Sequence, residues 1–432
     1  LRLAAAPEYD PSMRRPYPRF LAARLREALD DTPAVLIHGP RQSGKTTLAR
    51  SVGDRRGYRY LSFDQDVLRD AARQDPTGFV EDLPHRVILD EVQRVPEIFT
   101  ALKLAIDTRR VPGRFILTGS ANLLLLPALA DSLAGRIGLL RLHPLSQAEI
   151  ARREPAFLDQ LFGTGFSITQ SARLGPALAD LIVHGGYAAA LNLKTRTRRS
   201  AWYRDYIETQ IQRDVRDMSR IRSLDALPRL LKLAAANTAQ LVNFADLAGP
   251  FQLTRQTIHD YVTVLERIFL LEQLPPWHSN RLSRLVKTPK LHVGDTGVAC
   301  ALLGLDASAL REDRSMYGRM LETFVLQELR RQASWRTDEL RFHHFRDRDG
   351  VEIDIVIEGA GGAIAGIEVK SAASVNASDF AGMRKLKEVA GPRFARGVVL
   401  YDGDVSVSFA ERLHAVPIAQ LWRPRARANR DY

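Results

Sequence analysis

Cysteine is nearly absent: among 432 residues only Cys300 carries a thiol. A single thiol excludes an internal disulfide framework and fits a reducing cytoplasm. Long apolar runs are missing too. The richest stretch, Leu123–Leu126, is cut by Pro127 and followed by Asp131, far short of the ~18 apolar residues that span a membrane. Leu1 to Asp10 holds a short Leu/Ala patch before Pro7, Glu8 and Asp10, so no secretory signal is expected. There is no internal repeat, and the one biased segment is the Arg-rich tail from Arg423 to Arg430. Acidic residues fall short of basic ones, 50 against 62, which leaves a net charge of +12. That excess favours a polyanionic partner, nucleic acid or an acidic membrane surface, although plain solubility accounts for it equally well. No amphipathic membrane anchor stands out, so no membrane partner is expected.

A 45% hydrophobic, 26% charged chain of this length is globular and too long for one core. The expected class is α/β. Short apolar runs at 34–38, 58–63, 86–89, 114–117 and 136–142 alternate with helical patterns, which is the signature of a parallel sheet covered on both faces. After Pro144 the pattern turns helical. Residues 192–232 carry 11 Lys/Arg against 5 Asp/Glu, with Trp202, Tyr206 and Ile207 at helical spacing, and read as a basic amphipathic helix pair bridging domains.

The segment Gly39-Pro40-Arg41-Gln42-Ser43-Gly44-Lys45-Thr46 fits G-x-x-x-x-G-K-[ST] between an apolar run and a helix opened by Thr47. Glycines let the backbone curl its N–H groups onto phosphate oxygens, and the helix N-terminus adds its dipole. Lys45 would neutralise the β/γ-phosphates of ATP, while Thr46 takes one Mg²⁺ position. Downstream, His85–Leu89 leads into Asp90 and Glu91. Asp90 is expected to hold Mg²⁺ through its water shell, and Glu91 to act as general base. The next run ends in Thr118-Gly119-Ser120-Ala121-Asn122. Thr118 or Ser120 could stand between γ-phosphate and water, and a turn with a helix cap explains the same residues. Arg136 suits a phosphate contact, in its own or a neighbouring subunit, or a plain surface position. Asp64 reads as a helix cap rather than a ligand.

The series GPRQSGKTTLAR, ILDEVQRVPEIF, LKLAIDTRR, FILTGSANLLLL, SLAGR and HPLSQAEI resembles a large bacterial and archaeal family of AAA-type ATPases. In that family the N-terminal module is paired with a C-terminal domain of unassigned function. WYRDYIETQIQRDV, LVNFADLA, TIHDYVTVLE, LPPW, KTPKLHVGDTGVA and GRMLETFVLQEL extend the resemblance over nearly the whole chain. It implies ATP binding and hydrolysis, without a settled cellular role.

Residues 241–265 read as helix, turn, helix, with Gly249-Pro250 at the turn and Thr254 capping the second helix. Ile258, Tyr261, Val262 and Leu265 would be buried; Arg255, Gln256, His259 and Asp260 would face outward. Arg255 and Gln256 near the N-terminus of that helix are residue types that read or clamp DNA in a major groove. A winged-helix fold serving as a lid or protein contact is the alternative.

Near the C-terminus, Val351–Ile357 alternates so that Glu352 and Asp354 share a face. A Gly-rich turn leads to Ile364–Lys370, which puts Glu368 and Lys370 on one face. The spacing allows a hairpin that joins two carboxylates and a lysine into a Mg²⁺ site. This arrangement resembles the D-x(n)-E-x-K centre of the PD-(D/E)xK nuclease superfamily, which implies a restriction-endonuclease-like domain and a further carboxylate, Glu322, from a preceding helix. Leu321, Phe324, Val325 and Leu329 would mark that helix's buried face. Cleavage and a retained, non-cutting fold both remain open.

The expected layout is a P-loop ATPase core over 1–145, a helical lid and basic helices over 146–230, and a winged-helix-like domain over 231–312. A nuclease-like domain over 313–420 and a tail over 421–432 complete it. ATP and Mg²⁺ are the expected cofactors. DNA is the favoured partner, and a ring or dimer follows if Arg136 acts in trans. The competing reading is a nucleotide-dependent switch that holds a protein partner and cuts nothing.

Overall fold

The computed structural model describes residues 16–121, 135–212, 225–279 and 288–424. The molecule is α/β. Its N-terminal third contains helix α1 (Leu21–Asp31), strand β1 (Ala34–His38), α2 (Lys45–Gly53) and β2 (Arg59–Ser62). Then come α3 (Asp66–Gln74), α4 (Pro76–Glu81), β3 (Val87–Asp90), α5 (Ile98–Thr108), β4 (Phe115–Gly119) and β5 (Ile137–Arg141). All five strands are parallel, in the order β2-β3-β4-β1-β5. β1, β3 and β4 are buried at every position, as strands covered on both faces require. One apolar cluster, with Phe63, Phe99 and Leu102, covers one face. The other, with Leu25, Leu48 and Ile116, covers the opposite face.

The five apolar runs of the sequence thus become the five strands, with ends shifted by a residue or two. Asp64 is not a cap: Gln65 holds that position before α3, and Asp64 pairs with Arg94 at 3.0 Å.

The middle of the chain holds β6 (Thr169–Gln170), α6 (Pro176–His184), α7 (Arg196–Gln210), α8 (Ala226–Ala236), β7 (Gln240–Leu241) and α9 (Phe244–Ala248). α10 (Arg255–Arg267), β8 (Leu271–Leu274) and β9 (Lys290–Val293) follow. β7, β9 and β8 form a small antiparallel sheet packed by α8 and α10, and α9 packs on α10. Thr254 caps α10 by accepting from Thr257 N. Ile258, Tyr261, Val262 and Leu265 are buried, and Arg255, Gln256, His259 and Asp260 are exposed. α7 and α8 occupy the region read as a helix pair; residues 213–224 between them lie outside the described residues.

Next come α11 (Thr296–Leu303), α12 (Ala307–Glu312) and α13 (Arg314–Ser334). The C-terminal elements are β10 (Arg341–Arg346), β11 (Glu352–Glu358), β12 (Ile364–Lys370), α14 (Ala381–Ala390), β13 (Phe394–Tyr401), β14 (Val405–Ala410) and β15 (Leu413–Pro417). Their sheet runs β10-β11-β12-β13-β15-β14-β6. Its last strand, β6, comes from the region expected to be a lid. Arg396 donates to the backbone oxygens of Gln160 and Leu161, and Arg173 pairs with Asp402 at 3.1 Å. The segment around β6 therefore belongs to the C-terminal sheet, which corrects the boundaries read from the sequence.

α13 is the spine of the molecule. The four expected positions, Leu321, Phe324, Val325 and Leu329, are buried, and burial also continues around the helix, from Met320 through Leu329 and on to Arg331 and Gln332. Polar residues on such a helix must find partners. Arg331 donates to Leu145 O at 2.9 Å and bridges Glu328 at 2.8 Å and Asp295 at 3.0 Å. Glu328 also accepts from Gln147 N, and Asp295 from Gly186 N. One buried ion network thereby ties the end of the P-loop domain to both later regions.

Candidate functional site

The P-loop follows from the end of β1. Gly39 has φ +154°, and a Cβ there would lie 2.1 Å from Leu142 O, so only glycine lets the loop leave the sheet here. Gly44 takes φ +93° at the N-cap of α2. Pro40, Arg41, Gln42 and Ser43 complete the turn, with Gln42 at φ 58°. Lys45 is buried, its ammonium donating to Pro40 O at 2.9 Å. The loop is braced from two sides: Arg19 donates to Ser43 O and to His143 O, and Tyr206 on α7 donates to Arg41 O at 3.3 Å. Thr47 lies within the first turn of α2.

β3 and β4 deliver the acidic half of the site to the same edge of the sheet. Thr46 Oγ1 lies 3.0 and 3.1 Å from the Asp90 oxygens. Tyr60 donates to Asp90 Oδ2 at 2.7 Å, and Thr118 donates to Asp90 Oδ1. Burial, and then the bond to Asp90, raises the Tyr60 phenol above its ordinary value. Glu91 sits at φ 59°, its N–H donating to Thr118 Oγ1 at 3.3 Å. Its carboxylate accepts from Ser120 Oγ at 3.1 Å and from Gln93 Nε2. Gln93 also donates to Ser120 Oγ at 2.8 Å and accepts from Ser120 N at 3.3 Å.

Of the two candidates at the β4 end, Thr118 thus lies on Asp90 and Ser120 on Glu91. Gln93 is the residue the sequence reading missed. Its only signal was its position two residues after Glu91. His38, at the base of the loop, packs 5.9 Å from the Phe269 ring. Burial, reinforced by Arg141 and Lys45, lowers its pKa to about 3.

The donor set fits a Mg²⁺-nucleotide. Thr46 and Asp90 offer hard oxygens side by side, and the buried Ser43 hydroxyl has no hydrogen-bond partner among the described residues. Lys45, Thr46 and Asp90 would hold the group.

Arg136 does not join these residues. It precedes β5, where Ile137 is level with Ala34 at the edge of the sheet opposite the P-loop. There it pairs with Asp107 at 2.7 Å. An approach to a phosphate of the same chain is thereby ruled out on position. Asn122 lies outside the described residues.

In the C-terminal domain, β11 and β12 form the expected antiparallel hairpin, with Ile355 opposite Ile367. Asp354 accepts from Val369 N at 2.9 Å, and Lys370 pairs with Glu368 at 3.0 Å. Glu322 reaches the same place from α13. Glu352, at the exposed end of β11, pairs with Arg346 instead. A further residue sits among the carboxylates: Lys290 of β9, buried, with its ammonium 2.8 Å from Glu322 and 3.5 Å from Asp354.

Burial, and then the charge of Asp354, holds Glu322 well above the usual carboxylate range. Glu368 is pushed up to about 7 by burial and by Asp354, with Lys370 opposing. Burial alone would lower the Lys290 ammonium, but Glu322 and Asp354 raise it.

Among the described residues, no group of three or more His, Cys, Asp or Glu side chains could hold a metal ion. The expected Mg²⁺ set was Glu322, Asp354 and Glu368. The carboxylates converge, but a lysine ammonium takes the position between two of them. Nothing beside Lys290 in the chain signals this position; its partners are 32 and 64 residues away.

On α10, Gln256 donates to Asp260 at 2.9 Å along the exposed face, beside exposed Arg255. No helix among the described residues is long and apolar enough to cross a membrane.

Residues 31–151 match the family described as "AAA domain". Residues 175–309 and 317–421 each match a domain of unknown function, DUF8612 and DUF4143 respectively. An uncharacterized protein of Mycobacterium tuberculosis is 29% identical over 406 residues, covering 93% of this chain and 84% of its own length. One of Mycobacterium bovis gives the same values. Among solved structures, a Walker-type ATPase of Pyrococcus abyssi is 15% identical, covering 66% of this chain and 94% of that one, with a TM-score of 0.42. The N-terminal third is thus an AAA-type P-loop ATPase domain, the kind of fold that binds and hydrolyses ATP.

Proposed function

We propose that this protein is an ATP-driven molecular switch acting on DNA, in which nucleotide turnover at Lys45, Thr46, Asp90 and Glu91 is transmitted to the winged-helix-like and C-terminal regions. The observation that carries it is the continuity of the bracing. The P-loop is touched by Tyr206 of α7 through Arg41 O, and Arg331 of α13 anchors Leu145, just past β5. A change in the loop's shape on nucleotide binding meets buried, hydrogen-bonded neighbours and has to move them or be opposed by them.

At the site itself, bound Mg²⁺ would neutralise phosphate charge during hydrolysis. Lys45 faces the loop carbonyls and would turn to phosphate oxygens. Ser43 would donate its hydroxyl to the ligand. Glu91 would take a proton from the attacking water, oriented by Ser120 and Gln93. On the DNA side, Arg255 and Gln256 are exposed at the first turn of α10, the end that enters a groove in helix-turn-helix proteins. The net charge of +12 supports the same reading.

The test joins two assays. ATPase rate is measured with and without duplex, branched and single-stranded DNA, for wild type, Lys45→Ala and Arg255→Ala/Gln256→Ala. DNA-stimulated turnover that the double variant loses supports the proposal. A rate indifferent to every DNA, together with binding unchanged by the double variant at two salt concentrations, rejects it. The second reading, a switch that holds a protein partner, then takes its place; it is favoured by the exposed apolar Leu104 and Ile168.

A further inference from the structure

The nuclease-like hairpin implies a divalent metal at Glu322, Asp354 and Glu368, and the residues present do not fit one. We infer that Lys290 is the resident cation of this centre, and that the centre as folded is a metal-independent lock between β9 and the C-terminal domain.

Three observations carry the inference. The first is geometric. The Lys290 ammonium stands 2.8 Å from Glu322 and 3.5 Å from Asp354, bridging carboxylates from two elements as a metal ion would. It offers three donors and one positive charge in place of an ion with open coordination sites. Lys370 meanwhile pairs with Glu368, and Asp354 spends its second oxygen on Val369 N. Two ammonium groups and a backbone N–H thus engage both oxygens of Asp354 and one oxygen each of Glu322 and Glu368, so positive charge already answers all three carboxylates.

The second concerns rigidity. Lys290 lies on a strand held from both sides, opposite Leu241 of β7 and Leu274 of β8. Period two puts His292 on the same face as Lys290, and its Nδ1 meets Thr323 of α13 at 3.0 Å. Two successive inward residues of β9 are thus seated on two successive residues of α13. The flanking chain is bonded to the C-terminal sheet as well. Trp277 N donates to His344 O at 2.6 Å, and His344 N donates to Pro275 O at 2.9 Å. A lysine fixed this way cannot step aside as a solvated one could.

The third is burial. Lys290 is 4% exposed and Glu322 9%. A buried charge is tolerated only when paired, so ammonium and carboxylates require one another. Loss of either leaves the other stranded. The lock holds together regions that lie far apart in the chain, and it occupies the place at which the related fold would put its metal. This inference concerns residues outside the P-loop site and outside the α10 face on which the proposed function rests, so it stands or falls separately from that proposal.

The experiment uses the full-length, nucleotide-free protein and thermal unfolding followed by circular dichroism. Wild type is expected to melt at the same temperature in EDTA and in Mn²⁺. Lys290→Met should lower the midpoint by about 5 °C or more, because two carboxylates lose their cation. Lys290→Met combined with Glu322→Gln and Asp354→Asn should recover most of that loss, since no charge is then stranded. A side chain that merely filled space would show no such recovery, and absence of recovery overturns the inference. So does a Mn²⁺-dependent rise in the wild-type midpoint that Asp354→Asn removes. If the single variant yields no folded protein, the triple variant decides: folded and indifferent to Mn²⁺ supports the lock, unfolded rejects it.

Discussion

Ser120 Oγ donates to Glu91 Oε2 at 3.1 Å, across the ends of two strands that are adjacent in the sheet but 29 residues apart in the chain. The proposed general base is therefore held by a neighbour on the next strand, with Gln93 closing the triangle. Several consequences can be measured.

Lys45→Ala should abolish ATP hydrolysis and weaken nucleotide binding by about tenfold or more, since a charge-assisted contact to phosphate is lost. Fluorescent-nucleotide titration and phosphate release would read the two effects. Retained turnover would show that phosphate is held elsewhere.

Glu91→Gln should leave nucleotide binding nearly intact while lowering kcat by roughly 10²-fold or more, the range of a lost general base. Nucleotide affinity falling in step with kcat would instead make Glu91 a binding residue.

Gln93→Leu removes one donor from Glu91 and the contacts to Ser120. Because Gln93 touches neither the P-loop nor Thr46 in the bonds described above, KM for ATP should stay within about twofold while kcat falls about tenfold through lost orientation. A change confined to KM would contradict this. Of the site, the P-loop, Asp90 and Glu91 were legible from spacing alone, because a contiguous motif dictates its own geometry. Gln93 was not, because its role depends on Ser120, on another strand.

Glu272 is buried between Arg141 and Arg330, joining β5, β8 and α13. Burial alone would raise its pKa, yet the two guanidinium groups hold it well below the usual carboxylate range. Glu272→Gln should destabilise the protein by about 3 kcal/mol, because it leaves two arginines facing an uncharged amide. Urea unfolding would measure it, and a loss below ~1 kcal/mol would mean that the arginines find other partners.

His38 is buried, with a folded pKa of about 3 against an ordinary 6.5. Burial also lowers His143 and His292. Below pH 6.5 the unfolded chain binds protons that the folded chain refuses, so stability falls as pH drops toward 3. The melting temperature should be lower at pH 5 than at pH 7.5, and His38→Gln should shallow that slope. A slope unchanged in the variant would assign the acid sensitivity to other groups.

The sequence by itself determined the parallel α/β sheet, the P-loop with its acidic partner strand, the helix pair around Thr254 and the C-terminal hairpin. Each of these is written in contiguous residues, through hydrophobic period, glycine placement and motif spacing. Only the tertiary structure decided what depends on packing between distant segments. It moved β6 into the C-terminal sheet, set Arg136 at the far edge against Asp107, and buried α13 on all sides. Above all it placed Lys290 between Glu322 and Asp354. Those three residues come from separate elements, and an ion pair between strand and helix leaves no periodic trace in either. The carboxylate pattern was therefore visible in the chain, whereas the cation that answers it was not.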